Sequence, residues 1–579
     1  MKRWWKYIKP YLPFFIVGPL CMIVEVIGEI LMPALLAQII DNGIVNGNTG
    51  YVAAMAGLMI LVAVLMMAGG VGGAYFGAKA SVNFSADLRL DMYEKIQTFS
   101  FTSIDKFSTS SLITRLTNDI NQLQNFINML LRMCLRSPGM LIGALIMSVI
   151  IAPKLATVLL IAIPIIALAQ FFIIKKAFPK FTGMQTNIDK LNSTVEENIT
   201  NVRVIKSFVR EEHEKDKFAK ANGNLKNATV GAMRVMILSS PIMTLIMNAT
   251  SLAVLYIGGK TVINNPFGLS IGNLTAFVTY MMQILMSLMM LTMLFVFSSR
   301  ALASGKRICE VMDEKTDIDD SKAKCKEKKV TDGSVEFKNV SFRYYKESEE
   351  PVLSDISFKI NAGETVGIIG QTGSGKTTLI SMISRLYDPD SGEVLVDGVN
   401  VKDYSLKNLR DGVSVVLQKN TLFSGTIEQN LMWGDENAAH ETVVNAAKAA
   451  QAHKFIETFA DGYETNIEQG GMNVSGGQKQ RLCIARALLA TPKILILDDS
   501  TSAVDTATEA QIRKEMKKLP DMTKIIIAQR ISSVISADKI IVMNDGHITG
   551  MGTHDELMET SSDYREIYHS QTDGKRDDN

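Results

Sequence analysis

Six long apolar runs dominate the first half of this 579-residue chain, at about 11–40, 52–78, 127–151, 155–174, 237–258 and 271–297. Each clears or nearly clears the ~20 residues a helix needs to cross about 30 Å of hydrocarbon. The first follows the basic, aromatic MKRWWKYIK. It is too long for a signal-peptide core and has no small-residue cleavage site, so it reads as a retained transmembrane helix. Six crossings return the chain to its starting side. The turn DNGIVNGNTG between the first two runs has no Lys or Arg, and the next two outer turns carry only Lys154 and Lys260. The stretches after the second and fourth runs are long and basic, with Arg89, Lys95, Lys106 and Arg115, then Lys175, Lys176, Lys180, Arg203, Lys206 and Arg210. This bias places both termini and those stretches in the cytoplasm of a multi-pass protein of the plasma membrane bilayer. Apolar residues at helical spacing (Leu112, Leu116, Ile120, Leu123; Val195, Ile199, Val202, Ile205) predict that the membrane helices continue into the cytosol.

Charge and cysteine usage narrow the partners. With 60 Lys and Arg against 59 Asp and Glu, the net charge of +1 argues against nucleic acid as a ligand. Cys21, Cys134, Cys309, Cys325 and Cys483 form no CxxC and have no histidine at metal-ligand spacing, which predicts reduced thiols and no zinc site. After Arg300 the character changes. Residues 313–333 read as a charged linker, 334–570 as a second domain, and 571–579 as a disordered tail. Within 334–570, short β-rich runs such as SVEFKNVSF, ETVGIIG, VSVVL, KILILD and KIIIA alternate with helical stretches. That is the pattern of an α/β domain with a largely parallel sheet. The expected fold is an all-α six-helix transmembrane domain fused to an α/β domain.

The chemistry lies in this second domain. GIIGQTGSGKTTLI sets Gly370, Gly373, Ser374, Gly375, Lys376, Thr377 and Thr378 between a strand and a helix. Glycines there let backbone N–H groups close around a phosphate, Lys376 reaches the β and γ phosphates of ATP, and the Thr377 hydroxyl binds Mg²⁺. ILILDDS supplies a buried strand ending in Asp498, the carboxylate that holds Mg²⁺.

NVSGGQKQR, with Ser475, Gly476, Gly477 and Gln478, lies between those two motifs. The chain here resembles the nucleotide-binding domain of ATP-binding cassette (ABC) proteins, whose LSGGQ-like signature stands at this place. Tyr344 in SFRYY is similar to the aromatic that stacks on adenine, Gln418 in VVLQKNTLFSGTI to the Q-loop glutamine that joins the Mg²⁺ site, and Asp505 in SAVD to the D-loop. With six spans fused in front, the chain resembles an exporter-type half-transporter. The resemblance implies that two such domains close over two ATPs, each site combining one chain's phosphate loop with the other's signature. It also implies that closure reaches the membrane helices through coupling segments near Ser103–Phe107 and Lys206–Arg210.

Three departures from the family pattern stand out. Asp499 takes the position of the usual Glu general base, one methylene shorter. Gln529 in IIIAQRISSV takes that of the switch histidine, and Glu468-Gln469 replaces a Gly-Glu pair before the signature. Glutamine donates a hydrogen bond but carries no proton. Two changes in one hydrolytic site, beside an intact phosphate loop and signature, predict a heterodimer. This chain would contribute a degenerate ATP site (Asp499, Gln529) and lend Ser475 to a competent site on a homologous half-transporter. The alternatives are a slow homodimer exporting lipid or peptide, and an ATP-gated channel or regulator. In the first span, Glu25 and Glu29 lie one helical turn apart and predict a contact with an amphipathic, cationic, drug-like substrate or a structural pairing. Arg132 and Arg136 count to the inner interface and are not expected to reach them. Met281, Met282, Met286, Met289, Met290 and Met293 of the sixth span suggest either a promiscuous apolar pocket or ordinary packing.

Overall fold

The computed structural model describes all residues but 1, 265–268, 345–349, 501–502 and 573–579, and all their side chains but those of 2, 292, 293, 295, 296 and 299. It divides into two compact units, Met1–Gln97 with Ser110–Asp313, and Thr98–Thr109 with Glu314–Asn579.

Besides two short helices, Lys2–Ile8 and Thr109–Thr114, the described α-helices of the first half are, in chain order, α1 (Leu12–Gln38), α2 (Thr49–Gln97), α3 (Phe101–Lys106), α4 (Ile120–Met133), α5 (Arg136–Ile151), α6 (Pro153–Thr200), α7 (Val202–Ser207), α8 (Glu211–Ile237), α9 (Ser239–Asn264) and α10 (Ile271–Asp313). Among the described residues, six helical stretches are long and apolar enough to cross a membrane. The 49 residues of α2 extend about 74 Å, more than twice the hydrocarbon thickness. α1 and α2 approach closely through a small-residue stripe. A Cβ on the buried Gly69 would stand 2.8 Å from the Cys21 carbonyl oxygen, so only glycine allows this approach. Leu159, Ile166, Val254, Phe277, Tyr280 and Ile284 are buried in the shared core of the remaining spans. The expected apolar face is covered at Leu112 and Ile120, whereas Ile199 and Val202 are 70% and 48% exposed.

The structure corrects the expectation for Arg136. Its Nη2 lies 3.2 Å from Glu25 Oε1 and 2.7 Å from Glu29 Oε1. The helix of the first span runs on through a π-helical turn, Ile39–Ile44. Glu29 is therefore as far from the outer end of its helix as Arg136 is from Ile151, and the two meet at one depth. The sixth-span methionines differ in setting: Met281 is fully buried, Met286 and Met290 are exposed, and the Met293 side chain is outside the described set. The thioethers that line a cavity, of about 490 Å³, are Met22, Met32, Met66 and Met67, together with Glu25, Arg132 and Arg136.

The second unit is built on two sheets. β1 (Val335–Phe342), β2 (Leu353–Ile360) and β4 (Ser391–Val396) form an antiparallel sheet in the order β2-β1-β4, extended by a two-residue strand, Val399–Asn400. The other sheet runs β9-β8-β3-β7-β6-β5, with β3 Thr365–Gly370, β5 Val413–Val416, β6 Ile494–Asp498, β7 Thr523–Ile527, β8 Lys539–Asn544 and β9 His547–Gly552. All its pairs are parallel except β8–β9. All five residues of β6 are buried, which explains its unbroken apolar run. The segment read as a linker is tied down. The Asp397 carboxylate accepts the backbone N–H groups of Thr331, Asp332, Gly333 and Ser334 at 2.7–3.1 Å, and Asn408 donates to the Lys326 carbonyl at 2.7 Å. At the other end, the final helix Ser562–Thr572 runs two residues into the expected tail, whose residues 573–579 lie outside the described set.

Candidate nucleotide site

Parallel pairing brings the functional groups together. In the register of the large sheet, Ile527 of β7 is opposite both Asp498 of β6 and Ile368 of β3, and Val416 of β5 is opposite Leu497. The loop after β3, the Asp498–Asp499 pair, Gln418 and Gln529 therefore all emerge at one edge, where α/β sheets bind ligands. They surround a cavity of about 310 Å³ lined by Tyr344, Val352, Thr372, Gly373, Gly375, Lys376, Thr377, Thr378, Gln418, Asp498, Asp499, Ile527 and Gln529.

The loop before helix α11 (Lys376–Ile383) is shaped for phosphate. Gly375 has φ +91° and Gly373 φ +89°, a region open to glycine but not to ordinary side chains. A Cβ at Gly370 would stand 2.1 Å from the Met543 carbonyl oxygen. Lys376 folds back over the loop, its Nζ donating to the carbonyls of Gly370 at 2.9 Å and Gln371 at 2.6 Å, with Ser374 Oγ at 3.2 Å. Burial holds the Lys376 ammonium below its ordinary pKa, partly offset by Asp498 and Asp499. A buried cation satisfied only by neutral oxygens fits a polyphosphate. Thr377 donates to Asp498 Oδ2 at 2.9 Å, and burial raises the Asp498 carboxyl above the usual range, opposed by that hydroxyl. A hydroxyl beside a desolvated carboxylate suits Mg²⁺, with Gln418 close by. Bound there, the cation would neutralise phosphate charge.

At the opposite side, Asp499 has φ +47°, a conformation that aspartate tolerates better than most residues. Its Oδ2 accepts a hydrogen bond from Gln529 Nε2 at 3.0 Å, and Gln418 also hydrogen-bonds it. Burial raises its carboxyl, with Lys376 and Arg530 acting against the rise. Gln529 is fixed in turn by Gln571, whose Nε2 donates to the Gln529 carbonyl at 2.7 Å and whose Oε1 accepts the Ile531 N–H at 2.9 Å.

The signature residues are elsewhere. Ser475 caps helix α12 (Gly476–Leu489), accepting the Gln478 N–H at 3.3 Å while Gln478 Oε1 accepts the Ser475 N–H at 2.9 Å. This reciprocal cap leaves the first turn's remaining N–H groups at the positive end of the helix dipole. Asp505 caps the next helix, accepting the Thr508 N–H at 2.9 Å; its neighbour Ser502 in the SAVD motif is outside the described residues. Ser475, Gly476, Gly477, Gln478 and Asp505 do not line the cavity. The sequence reading missed Val352, Thr372 and Ile527, which do. Thr372 sits inside the glycine-rich loop and was findable from it, whereas Val352 carries no local motif.

Six membrane-crossing helices fused to a phosphate-loop domain with a separate helix-capping signature define an ATP-driven membrane transporter. Residues 15–288 match the model of the ABC transporter transmembrane region, and 353–502 that of the ABC transporter domain. An ABC transporter ATP-binding protein of Bacillus subtilis, YfiB, is 38% identical over 574 residues, covering 99% of this chain and 98% of its own. The ATP-dependent lipid A-core flippase of Haemophilus influenzae is 32% identical over 576 residues, covering 99% and 97%. A bacterial Atm1-family ABC exporter solved with ATP bound superposes with a TM-score of 0.79 at 25% identity, covering 97% of this chain and 98% of its own. This chain belongs to the ABC transporter family, with the exporter fold.

Proposed function

We propose that the chain is one subunit of a two-chain exporter, in which its own phosphate loop binds ATP but hydrolyses it slowly while Ser475 completes a competent site on a homologous partner. The observation that carries this reading is the pairing of Asp499. A general base must be free to take a proton from water. Here the carboxylate is one methylene short and accepts hydrogen bonds from Gln529 and Gln418. Gln529 cannot relay a proton in place of histidine. Reliance on a second chain is supported by the separation of Ser475 and Asp505 from the cavity. It is further supported by the exposed Phe208 and Val209, 72% and 79%, within the second coupling segment.

The substrate is an amphipathic compound, drug-like or lipid. The methionine-lined cavity beside Glu25 supports this, as does the likeness to the flippase and to a Bacillus subtilis ATP-binding/permease protein named for multidrug export, 34% identical over 576 residues. Arg136 pairs with both Glu25 and Glu29, and Arg132 lines the same cavity, so two cationic side chains balance the two carboxylates and the pair does not by itself select a cation. The test is to purify the chain alone and with a homologous half-transporter carrying Glu and His at the two positions. The chain alone should bind Mg-ATP yet turn it over at least about 10²-fold more slowly than the pair. Fast Asp499-dependent turnover by the chain alone would overturn the reading. Vanadate-sensitive uptake into inside-out vesicles separates an exporter from a gated channel.

A further inference from the structure

The first cytoplasmic loop of the membrane half clusters with the ATP-binding unit of the same chain, and its attachment leads to the nucleotide cavity. Helix α3 is capped by Ser100. Glu314 holds it from one side, accepting from Lys106 at 2.7 Å and Ser103 at 3.4 Å, and Asp317 accepts from Ser100. On the other side the contact is Tyr387. Its hydroxyl donates to Asp105 Oδ2 at 2.8 Å, and its ring lies 6.0 Å from that of Phe101. The same ring meets Tyr344 edge-on, at 5.2 Å and 89°, and Phe342 at 5.6 Å. Tyr344 also packs on Phe342 at 5.1 Å, and its hydroxyl shares a 2.8 Å hydrogen bond with Thr378 Oγ1, one residue beyond Thr377.

We infer that Tyr387 is a positioning residue that reports occupancy of the nucleotide cavity to α3 through Tyr344 and Asp105. Tyr344 is 40% exposed, which leaves ring surface for a purine. Edge-to-face aromatic pairs are directional, so a base that fixes the Tyr344 ring also fixes the Tyr387 ring. The latter carries the one described tyrosine hydroxyl bonded to α3. Lys106 and Ser103 are anchored to the chain segment entering the ATP-binding unit, not to the cavity. Asp105 therefore supplies the hydrogen bond, beside the Phe101 ring contact, by which α3 meets the tyrosine pair at the cavity. The inference needs ATP to bind here, but not to be hydrolysed, so it stands apart from the slow-site reading.

The experiment uses the full-length chain in detergent micelles or nanodiscs, with ATP binding measured by displacement of a fluorescent ATP analogue. Amide hydrogen exchange across residues 98–109 is followed with and without Mg-ATP. In the unmodified chain, ATP should slow exchange in this segment. Tyr387→Phe keeps the ring and removes the hydroxyl, while Asp105→Ala removes the acceptor. Both should leave ATP affinity within about twofold and reduce the ATP-dependent protection about fivefold, the weight of one net hydrogen bond. Asp105→Asn, which keeps an acceptor oxygen, should restore most of the response. A merely structural tyrosine would change protection equally with and without ATP. Undiminished ATP-dependent protection in Tyr387→Phe, or a uniform change, overturns the inference. Failure of the unmodified chain to bind ATP overturns both this inference and the assignment of the cavity.

Discussion

The two sides of the nucleotide cavity are built from different materials. The phosphate side consists mainly of backbone: a glycine loop held by φ values above +85°, carbonyls that hold Lys376, and a hydroxyl–carboxylate pair at Thr377 and Asp498. The hydrolytic side depends on the length and chemistry of two side chains, Asp499 and Gln529, which meet each other at 3.0 Å. Backbone donors persist through most substitutions, whereas a proton acceptor is lost with one methylene or one ring. A phosphate-loop domain can thus keep nucleotide binding, fold and dimer-facing signature while losing chemistry at one corner. The Asp499 N–H still bonds the Ile527 carbonyl at 3.0 Å, so the strand edge keeps its shape.

The largest expected effect comes from restoring the weak side. Asp499→Glu with Gln529→His, assayed in the proposed two-chain complex with the other chain's site inactivated, should raise ATP turnover by about 10²-fold or more, the usual contribution of a positioned base. An unchanged rate would place the defect outside this corner and remove the contrast between the two sides. Next in size is damage to the strong side. Lys376→Ala should weaken ATP binding about 10- to 100-fold, the range for charge-assisted hydrogen bonds. The variant should unfold no earlier than the parent, because a buried cation with a depressed pKa has been removed. Equilibrium titration with a fluorescent nucleotide, alongside thermal unfolding, reads both. A third change divides binding from the work of the second chain. A Cβ at Gly477 would lie 2.9 Å from the Ala503 carbonyl oxygen, so Gly477→Ala must shift the signature turn. Turnover of the two-chain complex should fall about tenfold, equivalent to ~1.4 kcal/mol, while ATP affinity at this chain's own cavity stays the same. Loss of that affinity would mean that signature and cavity are not separate functions.

How much of this was legible in the sequence follows the same division. Lys376, Thr377 and Asp498 are short-range signals on strand ends, Gln418 and Gln529 were legible through the family resemblance, and parallel pairing converges all of them on one edge. Tyr344 and Ser475 were also readable, through their likeness to the family's adenine-stacking aromatic and signature motif. The membrane half was legible in its helices and not in its side-chain partners. Apolar length locates a crossing to within a few residues, but pairing Glu29 with Arg136 needs the depth of both, and the π-helical turn at Ile39–Ile44 shifted one of the two counts. The cavity lined by Met22, Met32, Met66 and Met67 was likewise not legible, because composition counts thioethers without showing which way they face. Long-range tethers left no pattern at all. Nothing in a charged stretch at 313–333 announces that its last three N–H groups, with that of Ser334, converge on Asp397.

Gln571 offers the finest test of the contrast, because its effect should depend on whether the hydrolytic corner works. Both of its amide atoms are used on the backbone of the switch segment, at Gln529 and Ile531, so it fixes where the residue at 529 points without touching the cavity. In the native chain Gln529 performs no proton transfer, and Gln571→Ala should leave turnover at this site within about 1.5-fold. In the Asp499→Glu, Gln529→His background the same substitution frees a histidine that must hold its position, and turnover should fall about three- to fivefold, the worth of two partly exposed hydrogen bonds. The comparison is a double-mutant cycle whose informative quantity is the difference between backgrounds. Equal losses in both would show that Gln571 only steadies the domain. A loss confined to the restored background would show that the scaffold for hydrolysis is still in place around residues that no longer use it.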